Sequence, residues 1–146
     1  MSGMGDVDDI KQVKYRYLRA LDTKHWDEFA DTLTDDVIGD YDASIGESHH
    51  FTDRDSLVEF MRSSMPTNII TEHRVTHPEI SVNGDEASAT WYLQDRVIVP
   101  DFNFLRWALP STTTGTAEPA TAGKSVRPVT TAPTTRRCRR RTSASN

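Results

Sequence analysis

From Val7 to Asp22 the apolar residues recur at helical spacing. Val7, Ile10, Val13, Tyr17, Leu18 and Leu21 form one stripe, and Asp8 and Asp9 suit the N-terminal end, where the helix dipole favours anions. Residues 24–33 predict a second, shorter helix with Trp26, Phe29, Ala30 and Leu33 facing inward. "TDD" breaks that pattern, "VIGDYD" (37–42) predicts a short strand, and "SIGESHH" predicts a loop. Thr52 and Asp55 have capping-box spacing ahead of a third helix, whose apolar face is Leu57, Phe60, Met61 and Met65 and which Pro66 ends. At residue 68 the period changes to two. Residues 68–82 predict a long strand with Ile69, Thr71, His73, Val75 and His77 on one face and Ile70, Glu72, Arg74 and Thr76 on the other. Pro78 should bend this strand or limit its pairing. "NGD" signals a hairpin turn. Residues 86–99 predict the return strand, with Ala87, Ala89, Trp91 and Leu93 alternating against Ser88, Thr90, Tyr92 and Gln94.

Helix, helix, strand, helix and then long antiparallel strands is an α+β plan, with helices covering one face of a curved sheet. Two long strands and a short one fall below the roughly five or six of an average sheet. The periodic pattern nevertheless stops near Trp107, and the chain turns to Thr, Pro, Ala, Ser and Arg. The sequence thus divides into residues 1–105, a folding domain, and residues 106–146, a low-complexity tail with too few large apolar residues for a core.

Charge sharpens that division. The 146 residues carry a formal net charge of −5, but residues 1–104 hold 9 Lys/Arg against 21 Asp/Glu, while residues 105–146 hold 8 Lys/Arg and a single acid. The acidic part should repel nucleic acid, and only the tail, with its "RRCRRR" cluster, could attract it. No apolar run is long enough to span a bilayer and the start has no signal-peptide pattern, so no membrane partner is expected and a cytoplasmic location is the default. The lone Cys138 excludes an internal disulfide framework and a multi-cysteine zinc site. His49 and His50, near Glu47 and Asp53, lack a recognised ligand spacing and are expected at the surface, so no metal is expected.

Two stretches carry a family resemblance: "RYLRALDTKHWDEFADTLTDDVIGDYD" and "TEHRVTHPEISVNGDEASATWYLQ". Together they resemble the SnoaL-like branch of the NTF2-like superfamily, and within it scytalone dehydratase and its relatives, over about residues 7–104. The resemblance implies a cone: a strongly curved antiparallel sheet around a pocket, with N-terminal helices closing its back. It also implies two further strands after Phe104, typically reading like "GAAFYxDxYxRTxxGWKI". The chain as written lacks them. Reading from the third base of each codon from Trp107 onward, allowed codons yield "GAAFYHDRYRRTGDGWKI" and continue to Cys138. Residues from about 106 onward are therefore expected to be a frameshifted translation of the last two strands, which leaves the cone incomplete. The other reading is a disordered tail whose basic cluster binds nucleic acid or other anions nonspecifically.

The resemblance also implies chemistry. Asp22, at the end of the first helix, would orient His73 on the long strand inside an apolar cone. Imidazole titrates near neutrality and can take and return a proton, and a buried carboxylate fixes its tautomer. The implied reaction is proton abstraction beside a carbonyl or leaving group, then elimination or isomerisation, with no metal or organic cofactor. The substrate would be a small hydrophobic carbonyl compound, polyketide- or steroid-like. Tyr41 matches a tyrosine that helps position a water on the carbonyl. Tyr17, a further candidate substrate-binding residue, stands where a related dehydrochlorinase has lysine, and Leu21 replaces a tyrosine of scytalone dehydratase, so neither of those specific activities is expected. Trp26, Phe60, Met61 and Trp91 are candidate pocket walls or core residues, and His77 shares the face of His73. The alternative within this fold is a noncatalytic ligand-binding or dimerising module. A homo-oligomer through the outer sheet face requires the full sheet.

Overall fold

The computed structural model describes residues 4–41, 47–84, 86–102, 104–108, 111–117, 126–129 and 135–136. Helix α1 runs Met4–Thr23. Its end is a Schellman turn: Lys24 N–H donates to the Leu21 carbonyl (3.3 Å) and His25 N–H to that of Ala20 (2.9 Å). Lys24 occupies the left-handed position (φ 62°), where glycine is usual. Its ammonium donates to Thr71 Oγ1 at 3.0 Å, tying the turn to the sheet.

Helix α2 is only Trp26–Ala30. The predicted continuation to Leu33 is replaced by turns in which the fully buried Thr32 donates its hydroxyl to the Phe29 carbonyl (2.6 Å). Such local side-chain bonding competes with helix propagation. Strand β1 (Gly39–Tyr41) pairs antiparallel with β2 (His49–Phe51), so the predicted loop ends in a short strand instead. Helix α3 (Arg54–Ser64) starts one residue later than the capping-box spacing implied. Its N-cap is Asp53, which accepts from Ser56 N–H and Ser56 Oγ, both at 2.8 Å. An ionised carboxylate is a strong acceptor at this position.

Strands β3 (Ile70–Asn83) and β4 (Glu86–Val99) form the long hairpin, turning at Gly84 with φ 60°. Their register shifts between Thr76 and Glu79, so Pro78 interrupts the ladder as expected. A 3-10 turn at Pro100–Phe102 leads into β5 (Phe104–Ala108). The strands β6 (Ser111–Ala117), β7 (Val126–Val129) and β8 (Thr135–Arg136) complete a six-stranded sheet in the order β7-β6-β4-β5-β8, with β3 on the other edge of β4.

The sequence pattern left nothing to pair with β4 after Phe104. In the structure β6 pairs along Ala87–Leu93 and β5 along Arg96–Val99. Edge pairing needs only backbone groups, and threonine favours extended backbone, so a Thr-rich segment can take the place with no core-forming side chains. Most of the "RRCRRR" cluster and Cys138 lie outside the described residues.

The core has two clusters. Ala20, Leu21, Phe29, Leu33, Val37, Leu57, Val58 and Met61 join the three helices. Ile10, Ala87, Ala89 and Trp91, with Val75, Ile80 and Val82 against them, join α1 to the β3–β4 hairpin. Helix α1 contributes to both. Its inner face is therefore the seam between the helical layer and the sheet.

Candidate active site

The Schellman turn fixes where α1 stops, and so points Asp22 at β3. The Asp22 carboxylate takes three hydrogen bonds from that strand. His73 Nδ1 lies 2.6 Å from Oδ1, His73 N–H donates to Oδ2 at 2.8 Å, and Thr71 Oγ1 donates to Oδ1 at 2.8 Å. The two side chains are mostly buried, His73 13% and Asp22 20% exposed. Burial is the largest single influence on the Asp22 carboxyl and pushes its pKa up. The hydrogen bond, charge and backbone N–H of His73, together with Thr71, outweigh it and hold the carboxyl below its ordinary value. An ionised carboxylate only accepts, so the Nδ1 of His73 carries the proton, and in the neutral ring the lone pair is on Nε2. Lys24 adds its charge nearby. Burial lowers its pKa and the Asp22 charge partly restores it.

The same bonds define an edge. A strand residue's N–H and C=O point the same way, so His73, bonded to Asp22, turns these groups away from β4. Its register partner Asp95 then faces it as a non-hydrogen-bonded pair, the type with the closest side chains. Asp95 Oδ1 is buried without a hydrogen-bond partner. Asp95 escaped the sequence reading. The signal was the alternation of Ala87, Ala89, Trp91 and Leu93, which continued by one step puts a carboxylate on the inner face.

Tyr17 and Tyr41 are joined through their hydroxyls at 3.2 Å. Burial raises the Tyr17 pKa, and the bond to Tyr41 opposes this. The Tyr17 ring packs on Phe29, with centroids 4.7 Å apart. Tyr41 lies against Phe51 and Phe60. Trp26 meets Phe29 edge-on at the margin of the helical cluster. Met61 is 4% exposed in that cluster and Trp91 3% exposed in the other, so both are core residues. Leu21, also 4% exposed, is core as well.

His77 departs from its predicted face. At the bulge it adopts φ 50°, is exposed, bonds Thr76 Oγ1 through Nδ1 (2.8 Å) and packs edge-on against Tyr92, which is 46% exposed. The residue inserted at the bulge breaks the alternation, and the imidazole leaves the face of His73. His50 bonds Asp40 across the β1–β2 pair, and the His49 ring lies 4.4 Å from that of Phe60. No group of three or more potential metal ligands occurs among the described residues. No helix among them is long and apolar enough to cross a membrane.

Helices packed against a long antiparallel hairpin, with a carboxylate–imidazole pair where helix α1 meets β3, define a small α+β domain. The chain belongs to the SnoaL-like domain family, whose model matches residues 4–123. Among solved structures it is similar to a conserved protein from Planctomyces limnophilus, with TM-score 0.77 and 17% identity over 91% of this chain and 99% of that one. ActVI-ORFA from Streptomyces coelicolor gives TM-score 0.68 and 15% identity over 90% and 98%. A candidate scytalone dehydratase from Novosphingobium aromaticivorans gives 0.72 and 17% over 93% and 91%. At these identities the likeness establishes the NTF2-like fold alone.

Proposed function

We propose that the protein is a cofactor-independent lyase (dehydratase) or isomerase that acts on a small hydrophobic carbonyl compound, polyketide- or steroid-like, through Asp22 and His73. The observation that carries this reading is the Asp22–His73 bond. It leaves Nε2 as a base on the inner face, and no hydrogen bond to Nε2 occurs among the described residues. His73 Nε2 takes the proton from the carbon next to the carbonyl, and the C–H electron pair moves onto the carbonyl as an enolate. The imidazolium is stabilised by Asp22, more strongly in a dry site than in water. The proton then leaves with a β-hydroxyl as water, or returns at another carbon. Tyr41, joined to Tyr17, is the candidate hydroxyl for orienting the carbonyl, and Trp26 and Phe60 are candidate walls.

Solvent deuterium exchange at the activated carbon of 2-tetralone tests the proton transfer without knowledge of the natural substrate. In a chain with its last strands in frame, His73→Ala should slow exchange by about 10²–10⁴-fold. Full exchange by a folded His73→Ala protein would end this reading.

A second reading has its own observation. Asp22 accepts the His73 N–H and the Thr71 hydroxyl, so a structural role as a strand-edge cap already accounts for its position. On that reading the cone is a noncatalytic ligand-binding module, which binds 2-tetralone with no exchange.

We further infer that residues from about 106 onward are an out-of-frame translation of the last two strands. The permitted "GAAFY…GWKI" reading supports this, as does the lack of large apolar residues in β6 and β8. Sequencing the source DNA across the codons for Phe104 to Ala108 decides it. A confirmed frame makes the tail real and removes most of the support for a complete catalytic cone.

A further inference from the structure

Lys14 is a charged residue in a core position. On α1 it stands one turn from Ile10 and one from Leu18, and two turns from Leu21, which are 5%, 7% and 4% exposed. Ile10 belongs to the hairpin cluster and Leu21 to the helical cluster. Lys14 thus lies where the two clusters meet on the inner face of the helix that also carries Tyr17 and Asp22. Its ammonium sits over the Tyr17 ring, 4.9 Å from the centroid. Lys11, one turn earlier, pairs with Asp8 at 3.3 Å, whereas no carboxylate pairs with Lys14 among the described residues. Burial lowers its pKa to about 8, which still leaves the amine mostly protonated at neutral pH.

Burial disfavours the charged form of Lys14, whose described partner is an aromatic face, and a ligand with an anionic oxygen would offset that cost. We propose that Lys14 is a specificity-determining residue of the cone and binds an anionic oxygen, carboxylate or phenolate, on an otherwise apolar aromatic ligand. The Tyr17 ring supports the amine from one side. The inference rests on the reading of the cone as a small-molecule pocket and adds the charge of the molecule. All the contacts cited come from residues before 105, so the reading frame of the tail does not enter.

The test compares two probes of nearly equal shape, on the chain with its last strands in frame at neutral pH: 2-naphthoate and its neutral methyl ester. The carboxylate should bind about ten- to a hundredfold more tightly than the ester, the increment of one charge-assisted hydrogen bond. Lys14→Met should remove that preference and leave the affinity for the ester within about threefold. Lys14→Arg should keep part of it. Equal affinities in the unaltered chain overturn the proposal whether or not any variant folds, as does a preference that survives Lys14→Met. Ester binding without carboxylate preference leaves the pocket reading standing and sinks only the role of Lys14. Absence of binding by both probes sinks the two together.

Discussion

Residues 4–102 and the segments after Phe104 both contribute strands to one sheet, but by different physical means. In β4 the backbone ladder is accompanied by Ala87, Ala89 and Trp91, each 5% exposed or less, packed toward α1. In β6 the sequence is STTTGTA, paired with β4 along Ala87–Leu93 and holding no large apolar residue. Pairing can be supplied by almost any residue except proline, whereas a core requires particular side chains. The contrast separates two requirements of a sheet: partners for its backbone groups, and apolar side chains for its interior.

The largest break in this comparison would come from replacing residues 106–146 with the proposed in-frame reading. That chain should melt cooperatively by circular dichroism, while the 146-residue chain should aggregate or behave as a molten state that binds an apolar dye. A sharp cooperative melt of the latter would show that backbone pairing suffices. Next come single substitutions in the in-frame chain. Phe29→Ala, at a fully buried ring, should cost about 3–5 kcal/mol in denaturant unfolding.

Acid probes residues 4–102 at one point. The Asp22 carboxyl has a lower pKa folded than its ordinary 3.8, so the unfolded chain binds more protons in that range. The stabilisation from Asp22 is present above pH 3.8 and fades as pH falls through the folded value. Asp22→Asn should flatten the acid limb of a stability–pH curve, and an unchanged limb would refute the assignment. The smallest effect is local. Asp53→Ala should lower the midpoint of denaturant unfolding slightly by removing the α3 cap, with Asp53→Ser recovering most of the loss.

Much of the ordered region was legible beforehand. The β3–β4 hairpin follows from alternation and the "NGD" turn, and α1 from its stripe. The Asp22–His73 pair was reached through family resemblance and not through spacing, because nothing local says that residues 51 positions apart will touch. What escaped was set by competition between neighbours. Asp53 took the cap from Thr52 because carboxylate accepts more strongly. The bulge at Pro78 turned His77 outward against a simple period of two. Lys14 and Asp95 were hidden by the habit of following only apolar residues along a face, although both occupy positions that the periodicities assign to the interior.

The bond from His73 N–H to Asp22 has one more consequence. No strand covers the outer edge of β3 among the described residues, and an open edge is a template for a second chain. Asp22 occupies that template near the N-terminal end of β3. A substitution there would do two things at once: disarm the imidazole and unlock a docking strip for another copy of the protein. Loss of activity in such a variant would then deepen with protein concentration, a self-association signature that a purely chemical defect lacks.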